Sequence, residues 1–517
     1  MKNLLMIVIA FALISLSTKA QLTFQKTYGG SIGTGDHPMQ ITSDGGYIIS
    51  GGTTGLGLIK TDQFGDTLWT KTFTDSSMGN GATSIQQTAD MGYILTGWGY
   101  PGGPPAEYII KTDSLGVVIW IKGNSEYFGN LSILQTSDGG YAVTGTEVPY
   151  TSVAPDLSFF YKMDSSGNIL WVRCGNAPQT GVYGGQFTSF VQTRDDGFVL
   201  TGEFSDNDNG TSGVYLFKID SIGHLIWSNL FNGLLGMSVR QTTDDGFIIA
   251  GQTTDTGSFH PKVYLIKADS AGHFVWSKTY GGIRNDAANS VEQTNDRGYI
   301  IVGYSNSFTT DSSDEVYLIK TDSSGNLLWS RTYGGTGNEY GYSVHQTNDG
   351  GYIIGAGTDN NRIYLIKADS SGNEGGCNEF VPPTIISSTP TSFVSIINGF
   401  QEAQLSFNDS TTLFEGSGGT QTTICFNTGI PESTTTSPAI MLSPNPFNSS
   451  TTLTLQGTYH NPSLFIYNLL GQEVKSINVG TNTQVTISKD GLASGMYFYK
   501  LIDENKEVIG IGKMVIE

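Results

Sequence analysis

The chain has 517 residues, room for two or three domains, and a formal charge of −20 from 46 acidic and 26 basic side chains. Such a charge repels phosphate backbones and anionic headgroups, which excludes nucleic acid as a natural partner. The 68 glycines, with only 16 prolines but 25 tyrosines and 26 phenylalanines, point to short strands joined by tight turns, since disordered chains are poor in aromatics.

Residues 1–20 read as a secretory signal peptide. Lys2 supplies the positive n-region, Leu4 to Leu16 the apolar run, and Ala20 the small residue at the cleavage point. The apolar run is shorter than the roughly 20 residues a spanning helix needs. The mature chain is therefore expected in an oxidising compartment, where disulfides persist.

From residue 21 to 374 one tripeptide recurs. It appears as Lys60-Thr-Asp62, Lys111-Thr-Asp113, Lys162-Met-Asp164, Lys218-Ile-Asp220, Lys267-Ala-Asp269, Lys320-Thr-Asp322 and Lys367-Ala-Asp369. Six copies place a tryptophan seven residues after the Asp: Trp69, Trp120, Trp171, Trp227, Trp276 and Trp329. The clearest unit gives four strands: Ser290–Thr294, Tyr299–Val302, Val316–Lys320 and Leu327–Tyr333. Four strands per roughly 50 residues is the pattern of a propeller blade.

The seventh copy has no fourth strand. Its place is matched at the other end of the ring, where Leu22 to Gly30 resembles Val275 to Gly282 and puts Phe24 close to the tryptophan position. The expectation is an all-β fold: a seven-bladed β-propeller of four-stranded blades closed by the N-terminal strand. The tryptophans are expected to pack between blades, and the repeated aspartates to form turns.

The Asp-x-x-Gly-x-x-x-Trp element resembles the tryptophan-docking repeat of quinoprotein-like propellers. It departs from the sialidase Asp-box in both of its spacings. A sialidase would also need an arginine triad, and none can be assigned among seven arginines. Cys174 is alone in the ring, without the cysteine pair that quinoprotein dehydrogenases often use. No nucleophile elbow, zinc motif or P-loop is present. The loop Asp206-Asn-Asp-Asn-Gly210 lacks calcium-loop spacing and reads as solvated. No cofactor, metal site or catalytic residue is expected.

Length variation between units falls in the loops after the second and fourth strands, which share one face of a propeller. Variable loops on a fixed scaffold are where binding sites sit. Trp98, Tyr100, Glu203, Gln252 and Tyr304 are the candidate ligand-binding residues. Trp98, Glu203, Gln252 and Tyr304 directly follow the small residue of the second strand. Trp98 has a second reading, as packing beneath its own loop, Gly99 to Pro105. The expected function is a non-enzymatic surface or secreted protein that binds a glycan or a protein. The alternative is a propeller hydrolase or lyase acting on polysaccharide.

Residues 375–437 do not fit the repeat. Pro382-Pro383 and the Ser/Thr runs suggest a connector, with Phe393 to Ile397 and Leu405 to Phe407 as arms of a hairpin. Cys377 and Cys425 flank it and are expected to form a disulfide.

Residues 438–517 read as short alternating strands of a small Ig-like β-sandwich. Four blocks occur in order: Leu442-Ser-Pro444-Asn445-Pro446-Phe447, Ile466 to Val474 around Gly471, Gly491 to Leu501 around Gly495, and Lys513-Met-Val-Ile516. Together they resemble the type A sorting domain of the type IX secretion system of Gram-negative bacteria. That resemblance implies recognition by the outer-membrane translocon and removal by a sortase-like surface peptidase. It places the protein outside the cell, either free or attached to the outer-membrane surface.

Overall fold

A lysine buried among strands needs its charge paired, and that need shapes each repeating unit. The structure is a computed structural model that describes residues 21–29, 31–32, 38–52, 56–74, 82–99, 106–124, 128–147, 157–175, 185–206, 211–254, 260–335, 337–360, 362–375, 379–387, 393–395, 400–402, 408–409, 414–416, 421–427, 440–443, 447–455, 461–468, 473–480, 483–504 and 508–516. In each unit the lysine of the triplet lies in the third strand. It pairs with an aspartate from the turn between the first and second strands. The pairs are Lys60–Asp44, Lys111–Asp90, Lys162–Asp138, Lys218–Asp195, Lys267–Asp244, Lys320–Asp296 and Lys367–Asp349. The triplet's own aspartate forms the next turn. Asp322 Oδ1 accepts hydrogen bonds from the Ser324 and Asn326 N–H groups, both at 2.8 Å.

Seven antiparallel sheets follow one another. The sixth is Asp286–Gln293, Tyr299–Ser305, Glu315–Thr321 and Leu327–Tyr333. The fourth strands of the first five sheets are Thr67–Thr74, Val118–Asn124, Ile169–Gly175, Leu225–Asn232 and Phe274–Gly281. The seventh sheet has Glu339–Gln346, Tyr352–Thr358 and Arg362–Ala368. Its fourth place is taken by Thr23–Gly29, with Phe24 opposite Lys367 and Gly29 opposite Arg362.

Neighbouring sheets meet through the recurring aromatics. Trp69 stands edge-on to Tyr93 of the next sheet at 5.8 Å, and Trp329 to Tyr352 at 5.7 Å. Trp120, Trp171 and Trp227 meet Tyr141, Phe198 and Phe247 in the same way, and Trp276 meets Tyr299 in a tilted pair. Phe24 of the seventh sheet meets Tyr47 of the first at 6.4 Å. One buried cluster joins Phe24, Met39, Tyr47 and Ile49 to Ile353, Ile363 and Leu365.

Each sheet carries a fifth strand that the sequence reading missed. Among the described residues, the segment read as a connector contributes short strands laid along the outer strands. Glu379–Phe380 adds to the sixth sheet, Ile385–Ser387 to the fifth, Phe393–Ser395 to the fourth and Phe400–Glu402 to the third. Asn408–Asp409 then adds to the second, Phe414–Gly416 to the first and Gln421–Asn427 to the seventh. The expected hairpin is thus corrected. Phe393–Ser395 pairs with Leu225–Asn232, and residues 405–407 lie outside the described residues. The physical reason is that the fourth strands offer unpaired edges, which a nearby segment satisfies better than a lone hairpin does.

The chain divides into two compact units, residues 1–429 and 430–517. The second has two antiparallel sheets. Ile440–Ser443, Ser450–Leu455 and Gln484–Ser488 form one. Glu473–Asn478, Ser463–Tyr467, Gly495–Ile502 and Val508–Ile516 form the other. Leu453, Ile487, Leu464, Ile466, Leu501 and Met514 of the two sheets share one core.

Candidate binding face

In the fourth, fifth and sixth sheets the second strand crosses the first very closely at a glycine. A Cβ at Gly202, Gly251 or Gly303 would collide with the carbonyl oxygen of Gln186, Leu235 or Ala287. The first strand bulges there, between Phe187 and Ser189, Gly236 and Ser238, and Ala288 and Ser290. The residue after the glycine is thereby held at one register step in each sheet. Glu203 lies opposite Val214, Gln252 opposite Val263 and Tyr304 opposite Val316. Trp98 takes the same step opposite Glu107, while its side chain and all of Tyr100 lie outside the described residues.

Of the candidate residues, Tyr304 has the most developed surroundings. Its ring stands edge-on to Tyr340 of the seventh sheet, with centroids 5.2 Å apart. The Tyr340 hydroxyl donates to Asp314 Oδ2 at 2.9 Å, while Asp314 Oδ1 is buried with no hydrogen-bond partner. Loops from two sheets build this corner. The Asp314 N–H donates to Asn338 Oδ1 at 2.9 Å, and the Glu339 N–H to the Asp314 carbonyl at 2.7 Å. The loops after the second and fourth strands therefore do meet on one face here.

Two further carboxyls, both missed in the sequence, flank Gly334. A Cβ there would stand 2.7 Å from Glu315 Cγ and 2.8 Å from Glu339 Oε2. Burial raises both carboxyls above their ordinary range. Asp311 adds to this for Glu315, and Asp359, Glu315 and Asp311 add to it for Glu339. The acidic string Asp311-Ser-Ser-Asp314-Glu315 was the available signal, but it reads as an ordinary solvated loop. Glu203 is half-buried and its carboxyl is raised by burial alone. Gln252 is half-buried, with its carbonyl accepting from the Leu234 N–H at 3.0 Å.

Glu107, opposite Trp98, is fully buried. Its Oε1 accepts from the Tyr161 hydroxyl of the third sheet at 2.6 Å, and its Oε2 has no partner. Burial pushes this carboxyl up to about 7, against a smaller opposing effect of the Tyr161 hydrogen bond. At the equivalent step Val214, Val263, Val316 and Ile363 are aliphatic, and Ser158 of the third sheet carries only a small hydroxyl.

In the C-terminal unit, Gly495 opens the strand Gly495–Ile502 and Lys513 is exposed in the last strand. Pro444, Asn445, Pro446, Gly471 and Cys377 lie outside the described residues. Cys425 is placed by its backbone, opposite Gln25.

Residues 442–517 match the family described as a secretion system C-terminal sorting domain. The chain thus carries a type IX secretion sorting tail, and the protein is exported to the cell surface or the medium. None of the curated proteins compared with the chain matches it. Among solved structures, a protein of unknown function from Bacteroides caccae is 11% identical, with a TM-score of 0.35 over 60% of this chain and 93% of that one. A protein of unknown function from Dyadobacter fermentans is also 11% identical, with a TM-score of 0.35 over 66% of this chain and 98% of that one.

Proposed function

We propose that residues 21–427 form a closed seven-bladed β-propeller that binds a glycan through its variable face, without catalysing a reaction. Ring closure is supported by the path of the fifth strands. The links between them are four or five residues long at every step, and the step from the first sheet to the seventh is also four residues, 417–420. The five steps from Gly416 to Gln421 reach at most about 18 Å, which supports the first and seventh sheets being neighbours.

The binding reading is carried by the corner of Tyr304, Tyr340 and Asp314. It combines the paired Tyr304 and Tyr340 rings with the half-buried Asp314 carboxylate, and aromatic surface beside a polar group is the pairing that suits a sugar's C–H face and hydroxyl edge. A glycan array probed with the mature full-length protein, Tyr304→Ala and Trp98→Ala tests it. Specific binding that either variant loses supports the reading. An array with no specific signal overturns it in favour of a protein ligand.

Polysaccharide hydrolysis is the second reading, and the raised pair Glu315 and Glu339 favours it. Paired carboxyls are what glycoside cleavage uses. Release of reducing ends from polysaccharide, abolished in Glu339→Gln, would establish that reading over simple binding.

A further inference from the structure

The N-terminal strand is the weak point of any ring closed in this way. In six sheets the four main strands are consecutive in sequence, so their chain connections hold them together. In the seventh, Thr23–Gly29 pairs with Arg362–Ala368 from the far end of the ring, and no short connection ties it there. An outer strand held by one neighbour can peel away.

The fifth strands address this unequally. On sheets one to six they are two or three residues long. On the seventh, Gln421–Asn427 has seven residues, equal in length to Thr23–Gly29, and runs beside it from Thr23↔Asn427 to Tyr28↔Gln421. The N-terminal strand is therefore an interior strand, flanked on both sides. The other end of the segment is fixed to the sixth sheet. Arg331 Nε and Glu379 Oε1 are 2.9 Å apart with both side chains largely buried. The Thr384 hydroxyl lies 2.5 Å from that of Tyr317 and 2.9 Å from that of Ser330.

We infer that residues 379–427 are a belt that locks the ring. The belt is anchored at the sixth sheet, runs round the other five, and ends by holding the N-terminal strand in the seventh. This inference rests on the closed-ring reading above.

Hydrogen exchange on the mature full-length protein tests it, read at the amides of residues 24–28. Thr422→Pro removes an N–H and strains the strand opposite Thr27. It should speed exchange at 24–28 at least tenfold. Ile386→Pro, which disturbs the belt on the fifth sheet, should leave those amides unchanged. Should Thr422→Pro not fold, Thr422→Gly reads the same amides and should give a rise of a few-fold. Wild-type protection at 24–28 in the variant that folds would overturn the lock. Unprotected amides at 24–28 in the wild-type protein would instead sink the closed ring itself.

Discussion

Gly65, in the turn before the fourth strand of the first sheet, lies against the ring of Phe24 in the fourth strand of the seventh. A Cβ at position 65 would stand 2.8 Å from Phe24 Cε2, and the Tyr28 hydroxyl donates to the Gly65 carbonyl at 2.5 Å. The same relationship joins Gly372 to Trp329, with Tyr333 donating to the Gly372 carbonyl at 2.5 Å. Gly65 also sits at φ +74°, a conformation that suits glycine. Phe24→Ala should then cost about 3–4 kcal/mol, as a core aromatic does, and Gly65→Ala about 1–3 kcal/mol. Urea denaturation of the mature protein checks both. A loss below about 1 kcal/mol for Phe24→Ala would mean that residues 23–29 add little to the ring's stability.

Glu107 predicts a pH dependence of unusual sign for a carboxyl. Burial raises its folded-state pKa to about 7 from the ordinary carboxyl value of 4.5, so between these values the folded protein holds the proton more tightly than the unfolded chain does. This group's contribution is therefore most favourable below pH 4.5, falls as pH rises, and levels off above about 7. The total cost at pH 8 is on the order of 3 kcal/mol. Glu107→Gln keeps an oxygen for the Tyr161 hydroxyl and never ionises. It should be more stable than wild type at pH 8 and equal to it at pH 4.5, measured by denaturation midpoints. Equal stability at both pH values would mean that the buried carboxyl is solvated.

The turn aspartates and buried lysines predict an asymmetry between partners. Lys320 is 4% exposed, and its ammonium also donates to the Thr321 carbonyl at 2.9 Å. Asp296→Ala leaves that charge buried without its counter-ion and should cost about 2–3 kcal/mol. Lys320→Met fills the same space without charge and should cost clearly less. Thermal unfolding of the two variants gives the comparison, and the reverse ranking would show that the ion pair does not govern this turn.

Cys377 precedes the belt and Cys425 lies in its last strand, and we propose that they form a disulfide. Cys425 lies on the seventh sheet, and Glu379, two residues after Cys377, lies on the sixth, so the bridge would join the two ends of a full circuit. Closing a loop of this length contributes about 4 kcal/mol in the chain-entropy picture. Intact mass after alkylation in denaturant without reductant should show one modified thiol, that of Cys174. Three modified thiols would rule the bridge out.

The four-stranded units were legible because their signals are local. A Lys-x-Asp triplet, an Asp-Gly turn and a tryptophan seven residues on all fall within one unit of about 50 residues, where the lysine pairs with the turn aspartate of its own sheet. The role of residues 23–29 was legible because Lys26-Thr-Tyr-Gly-Gly30 repeats Lys278-Thr-Tyr-Gly-Gly282. The belt was not, because strands of two or three residues show no alternation, and its prolines and threonines resemble a linker. One signal was there: Phe393, Phe400, Phe407 and Phe414 stand seven residues apart. At the binding face, the register step of Glu203, Gln252 and Tyr304 could be read from the preceding glycine. The meeting of Tyr340 with Asp314 could not, since it depends on how loops of two sheets fold together.

The belt makes this architecture count its sheets twice. One tally is kept in repeats of about 50 residues, the other in rungs of about seven within residues 379–427. Gaining or losing one repeat alone would leave the two tallies in disagreement, with the last rung arriving at the wrong sheet and residues 23–29 without a cover. Propellers that close only on themselves can change size by duplicating or deleting one unit. Here such a change needs a matching edit at the far end of the chain, so the belt works against drift in the number of sheets.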